Sequence, residues 1–363
     1  MSSPAPSPLV VPSPPLLPYY SLLLLSVVMC SSAGPVFALL STVPPFLKAG
    51  YRLTFQSLFQ LIPWMFSNPA PPSVYPACVP YLLLAGFMLG THFCTWVYSI
   101  DHTTLSHSLL FVSMHPIILN FYYHLRSKLW GERRPSSLET IGSIVGVAGA
   151  AVMMADVGSD ESGAQSPTLW GDFVAFLGAV AMSIYLLVGE RFRGEKGGWD
   201  LWTYIEPVTV IATLTCWVYS FLLEEQSVKM FCLDEDCVFG CFKGDRLWYS
   251  IYLGVAAGIG GHAGLNFLLK FLSTQIIGTA LLAEPVVGSI IGYALDVQGV
   301  PGLWTWIGGG VLMVGLWLTI KGGDRSESPG EGEGCRSKGE EKGTWVERKQ
   351  FVGGDGNAVN ERL

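Results

Sequence analysis

Four ionisable side chains stand deep inside apolar runs of this chain: His92, His115, His262 and Glu284. The last lies near the middle of QIIGTALLAEPVVGSIIGYAL, residues 275–295, and is followed directly by Pro285. A carboxylate at bilayer depth costs about 2.5–3.5 kcal/mol on insertion scales, and the proline frees a backbone carbonyl. Both are tolerable where protein or water replaces lipid. Glu284 can therefore bind a cation, a proton or a solute, or serve as a protonated structural group bonded to the freed carbonyl.

His262 and Asn266 are four residues apart and share a helix face, as do His92 and Trp96. Histidines facing one cavity can hold a polar solute or relay protons, or they can act as hydrogen-bonding glue between helices. His115 precedes Pro116, which is expected to kink its helix as Pro285 does in the later run; His107 lies two turns earlier on nearly the same face. Arg52 either meets a carboxylate or phosphate or snorkels to the outer interface. Glu206-Pro207 lies close to the start of its run, where exposure to water is the simpler account.

The elements that must position these groups are membrane helices. The chain has 363 residues, 50% hydrophobic and 13% charged, with a mean hydropathy of +0.43, a composition for a polytopic membrane protein. A net charge of −7 and the lack of a basic stripe argue against a nucleic-acid partner. Apolar runs recur at 17–40, 43–66, 78–100, 103–125, 138–155, 169–188, 201–223, 247–271, 275–295 and 302–320. Each suits roughly 30 Å of hydrocarbon, so the expected fold is all-α with ten transmembrane helices. Residues 1–18 hold seven prolines and no charge and read as a disordered leader; 322–363, Gly-rich and charged, read as a disordered tail.

The two halves repeat one device. Gly90-Thr91-His92 is followed by Pro116 after 24 residues, and Gly260-Gly261-His262 by Pro285 after 23. Further on, Ile141-Gly142 with Gly149 matches Ile307-Gly308 with Gly315, the glycines seven apart in both. The repeats are placed at 19–155 and 169–321, joined by a linker at 156–168. Five helices is an odd number, so the second copy enters the membrane inverted, the plan of secondary transporters with a midplane site.

These features resemble the EamA-type ten-helix members of the drug/metabolite transporter superfamily. The segments that carry the resemblance are LKAGYRLTFQSL around Arg52, HSLLFVSMHPIIL followed by LWGERRPSSLETIGSIVGVAGAAVMM, and TALLAEPVVGSII followed by WIGGGVLMVGLWL. Asp296-Val297-Gln298-Gly299 departs from the Gly-Glu usual at that point. The resemblance covers about residues 20–320 and implies the fold and transport of a small molecule, with no universal substrate motif. It also places the fifth and tenth helices peripherally, where homodimer contact could form.

The function expected is alternating-access transport of a small metabolite, with substrate binding by His92, Trp96, His115, His262, Asn266, Glu284 and Arg52. No enzyme activity, cofactor or metal is expected: HExxH and CxxC patterns are missing, which argues against an intramembrane hydrolase. A nucleotide-sugar or sugar-phosphate antiporter is the alternative, but needs several cations, and a non-transporting receptor or scaffold is another. With few cations near the path, the cargo leans neutral, zwitterionic or cationic. Lysine and arginine placement, including Arg126, Lys128, Arg133, Arg134, Arg191, Arg193, Lys196 and Lys270 on one side, puts both termini in the cytosol. Cys232, Cys237 and Cys241 share an outer loop in which one of three disulfide pairings can form.

Overall fold

A computed structural model of the chain describes residues 17–67, 75–103, 105–131, 134–153, 155, 168–194, 198–224, 232–297 and 299–327. The expected leader before residue 17, the linker at 156–167 and the tail from 328 lie outside these residues. The described part is all-α. In chain order it has α1 (Leu17–Ser31), α2 (Ala33–Leu39), α3 (Pro45–Met65), α4 (Tyr75–Ile100), α5 (Leu105–Val112), α6 (His115–Trp130) and α7 (Ser137–Met153). Then come α8 (Leu169–Arg193), α9 (Leu201–Leu223), α10 (Arg246–Tyr252), a π-helical stretch (Leu253–Ala263), α11 (Gly264–Leu268), α12 (Thr274–Leu281), α13 (Glu284–Ala294) and α14 (Leu303–Glu327).

Helix ends follow local chemistry. Pro44-Pro45 opens α3; the side chains of Thr168, Asp200 and Ser273 accept backbone N–H groups at the starts of α8, α9 and α12. Gly131, with φ of 67°, ends α6 in the left-handed conformation. The last helix continues to Glu327, past residue 322 where the tail was expected to begin, and α1 begins at Leu17, where the first apolar run does.

Among the described residues seven helical runs are long and apolar enough to cross a bilayer: Leu17–Leu39, Pro76–Ile100, Leu169–Arg193, Leu201–Leu223, Arg246–Leu268, Thr274–Ala294 and Leu303–Gly323. Three other segments fall short for visible reasons. Ser137–Met153 is short, α3 carries Lys48, Arg52, Gln56 and Gln60, and the run from α5 to α6 is interrupted. Polarity is distributed inside out. Leu58, Ile62, Phe87, Ile144, Leu222, Met313 and Trp317 are exposed, whereas Arg52, Gln56, Gln60, His92, His115, Glu206 and His262 are buried. Water would reject such a surface and hydrocarbon accepts it, so the chain is an integral membrane protein.

The two prolines expected to kink helices do more: they begin new ones. α5 stops at Val112 and α6 starts at His115-Pro116; α12 stops at Leu281 and α13 starts at Glu284-Pro285. Proline without an N–H and with a fixed φ fits the first turn of a helix. Inside the bundle α4 packs on α8 and α9, the π-helical stretch packs on α1 and α3, and α3 packs on α9. α7 lies along α14. A Cβ on Gly315 would come within 2.4 Å of the Gly146 nitrogen, and one on Gly308 within 2.4 Å of the Gly149 carbonyl oxygen. The repeated glycines therefore serve backbone-to-backbone packing within one chain.

Candidate functional site

The breaks in the two discontinuous helices bring two helix N-termini, at His115 and Glu284, to one small internal cavity. It has a volume of about 20 Å³ and is lined by Cys30, Arg52, His92, Trp96, Val112, Ser113, His115, Met182, His262, Leu281 and Glu284. That is room for about one water molecule. Six of the seven residues expected to bind substrate meet here. Glu284 is half-buried and also borders an adjoining crevice with Ser31, Gly34, Leu109 and Gly288.

Asn266 is the exception. Its side-chain nitrogen donates to the Tyr185 hydroxyl at 2.5 Å and to the His262 carbonyl at 2.9 Å, while its backbone carbonyl accepts from Arg193 Nε at 3.2 Å. These bonds tie α11 to α8, and Asn266 does not line the cavity. Sharing a helix face with His262 was not enough, because the chain changes from π-helical to α-helical geometry between the two. Gly254 and Gly258 in the π-helical stretch let it press on α3: a Cβ at either would come within 2.8 Å of Phe55 or Gln56.

Of the two expectations for Arg52, its burial removes the one in which it snorkels to the outer interface. Arg52 is fully buried, its guanidinium carbon lies 4.1 Å from the centre of the Phe93 ring and 5.8 Å from that of Phe37, and Nε, Nη1 and Nη2 have no hydrogen-bond partner among the described residues. The Trp96 indole N–H and His262 Nδ1 are likewise buried without a hydrogen-bond partner among the described residues. His92 is fixed differently, with Nδ1 3.0 Å from the Gly178 carbonyl and its ring stacked toward Trp96 at 6.3 Å. His115 bridges the two discontinuous helices, with Nδ1 3.3 Å from the Val112 carbonyl and Nε2 3.0 Å from that of Gly278.

The two ends of the bundle differ. On the side of α6 and α8 where Trp130 and Arg193 lie, a vestibule of about 1050 Å³ opens, lined among others by Tyr123, Arg126, Glu190, Arg191, Lys270 and Gln275. A hydrogen-bonded layer lies at its inner end. Tyr123 and Thr274 donate to Glu190 at 2.5 and 3.0 Å, and Gln275 donates to the Pro116 carbonyl at 3.1 Å and to Ser143 Oγ at 2.6 Å. One helical turn deeper comes the His115–Gly278 contact.

At the opposite end Glu224, just past α9, accepts the Phe46 and Leu47 backbone N–H groups at 2.7 and 3.3 Å and the Ser220 hydroxyl at 2.5 Å. Lys48 pairs with Asp101 at 3.7 Å, and the Tyr51 hydroxyl donates to the Cys237 carbonyl. Burial raises the Glu224 carboxyl above its ordinary pKa, an effect opposed by the hydroxyl and N–H donors. In the loop at this end Cys232 is disulfide-bonded to Cys237, and Cys241 is a free, buried thiol.

Sequence reasoning passed over Cys30, Met182 and a polar stripe on α3. Arg52, Gln56 and Gln60 are four apart, a spacing that puts them on one helix face, and all three are buried. Gln56 Oε1 and both amide atoms of Gln60 lack hydrogen-bond partners among the described residues. Glu206, expected to be in water, is buried and accepts a 2.7 Å hydrogen bond from Ser57 of the same helix as that stripe.

No protein-family model and no curated protein matches the chain. A solved structure described only as "Crystal structure of protein" superposes with a TM-score of 0.63 at 17% identity, covering 86% of this chain and 99% of its own. At that identity the likeness is one of fold.

Proposed function

We propose that this protein is a secondary transporter of the EamA type within the drug/metabolite transporter superfamily, moving a small solute by alternating access. Counting α3, the α5–α6 run and α7 as crossings gives ten transmembrane helices in two inverted repeats of five. The packing supports that count. Exchanging the halves turns the contacts of α4 with α8 and α9 into those of the π-helical stretch with α1 and α3, and leaves the α3–α9 and α7–α14 pairs in place. The broken helices exchange as well, His115-Pro116 for Glu284-Pro285. Basic residues around the vestibule, among them Arg126, Arg191 and Lys270, support a cytosolic vestibule with both termini on that side.

One observation carries the reading: polar side chains from both halves converge on an internal cavity, with hydrogen-bonded layers between it and either end of the bundle. Rocking one half against the other would open those layers in turn. The test is solute flux by the purified protein in proteoliposomes, using pooled metabolites, with Glu284→Gln and His262→Ala in parallel. Flux by the wild type and its loss in both folded variants are expected. Absence of flux from every pool would overturn transport, and flux that survives both changes would overturn the role of the cavity.

A further inference from the structure

Buried donors around the cavity have no acceptor within hydrogen-bond reach among the described residues. Arg52 offers three nitrogens and Trp96 one, all buried and none with a hydrogen-bond partner among the described residues. A guanidinium and an indole N–H can only donate. Leaving them unmet in the interior is costly, and for Arg52 the faces of Phe93 and Phe37 and the charge of Glu284 offset it in part. The start of α6 adds the positive end of a helix of 16 residues at the same place. What is missing is a compact group rich in acceptors.

Charge decides its class. The titratable groups that face Glu284 across the cavity are Arg52, Cys30, His92, His115 and His262. Arg52 is the fixed cation there, since Lys48 pairs with Asp101 at the far end and Lys270 lies in the vestibule. A phosphate monoester would bring nearly two negative charges beside Glu284 with one guanidinium to meet them. A carboxylate brings one, and its two oxygens suit the planar fork of arginine.

We infer that Arg52 binds the transported solute through a carboxylate group, and that Glu284 is neutralised in the occupied site by positive charge that enters with it. The inference rests on the transport reading above. Two sources meet the charge requirement. A simple monocarboxylate needs a proton on Glu284 and is carried with it, whereas an amino acid brings its own ammonium group and needs none.

Thermal-shift titration of the full-length purified protein tests it, using four matched pools: short aliphatic and aromatic monocarboxylates, the corresponding 2-amino acids, the corresponding amines, and the corresponding phosphate monoesters. A carboxylate-bearing pool should bind best, with affinity falling roughly tenfold to a hundredfold in Arg52→Gln and less in Arg52→Lys. Glu284→Gln separates the sources. For a monocarboxylate it keeps binding while the uptake coupled to protons is lost; for an amino acid it weakens binding. The inference is overturned if amines or phosphate monoesters bind best, if Arg52→Gln binds as tightly as wild type, or if no pool binds. Flux of some other solute in that last case would leave transport standing, and the absence of any flux would remove both.

Discussion

Arg52 stands over the Phe93 ring at 4.1 Å, and none of its nitrogens donates a hydrogen bond to the described residues. A guanidinium placed for stability would be expected to have an acceptor, so this one is better understood as held ready by aromatic faces. Arg52→Met should therefore leave the ligand-free protein within about 1 kcal/mol of wild type, or more stable, since it removes an unmet buried charge. Thermal unfolding in detergent measures this. A loss of about 3 kcal/mol would make Arg52 a structural residue.

The contact of α7 with α14 admits no side chains at its closest points. Gly315→Leu would drive a Cβ toward the Gly146 nitrogen, 2.4 Å away, and should cost about 3 kcal/mol or more or prevent folding. Gly310, on the same helix with nothing within 4 Å of an added Cβ, is the control: Gly310→Leu should change stability by about 0.5 kcal/mol at most. Equal effects in melting temperature would refute the packing.

Glu224 caps a helix that is not its own. It receives the first N–H groups of α3 from a position just past α9, closing the end of the bundle opposite the vestibule. Glu224→Ala should cost about 1–2 kcal/mol, the scale of a lost N-cap, and should hasten amide exchange at Phe46 and Leu47. Unchanged exchange there would show that the cap contributes nothing to closure.

Access from the vestibule can be read by thiol labelling. In a background without native cysteines, Ser273→Cys, at the vestibule wall, should react readily with a membrane-impermeant maleimide, while Val112→Cys, at the cavity, should react at least about tenfold more slowly. In intact cells labelling at Ser273→Cys should require permeabilisation if the vestibule is cytosolic. Equal rates at both sites would mean that the layer around Glu190 and Gln275 does not seal.

Much was legible in the sequence because the bilayer imposes length and polarity on each segment separately. Residues 201–223 were bounded correctly by hydropathy alone, and the ionisable residues interrupting apolar runs, His92, His115, His262 and Glu284, meet at one cavity. Side-chain partners were not legible, because they depend on which helices touch. Asn266, one turn from His262, is bonded to Tyr185 instead of facing the cavity, since a π-helical stretch ends between the two. Glu206 is sheltered by Ser57, from a helix 149 positions away in sequence. Arg52 sits near a segment end where a long side chain could have reached water, and burial under α4 and the π-helical stretch brings it to the centre instead. Local chemistry determined where the chain crosses and breaks; tertiary packing decided which polar atoms found partners and which were left facing the cavity.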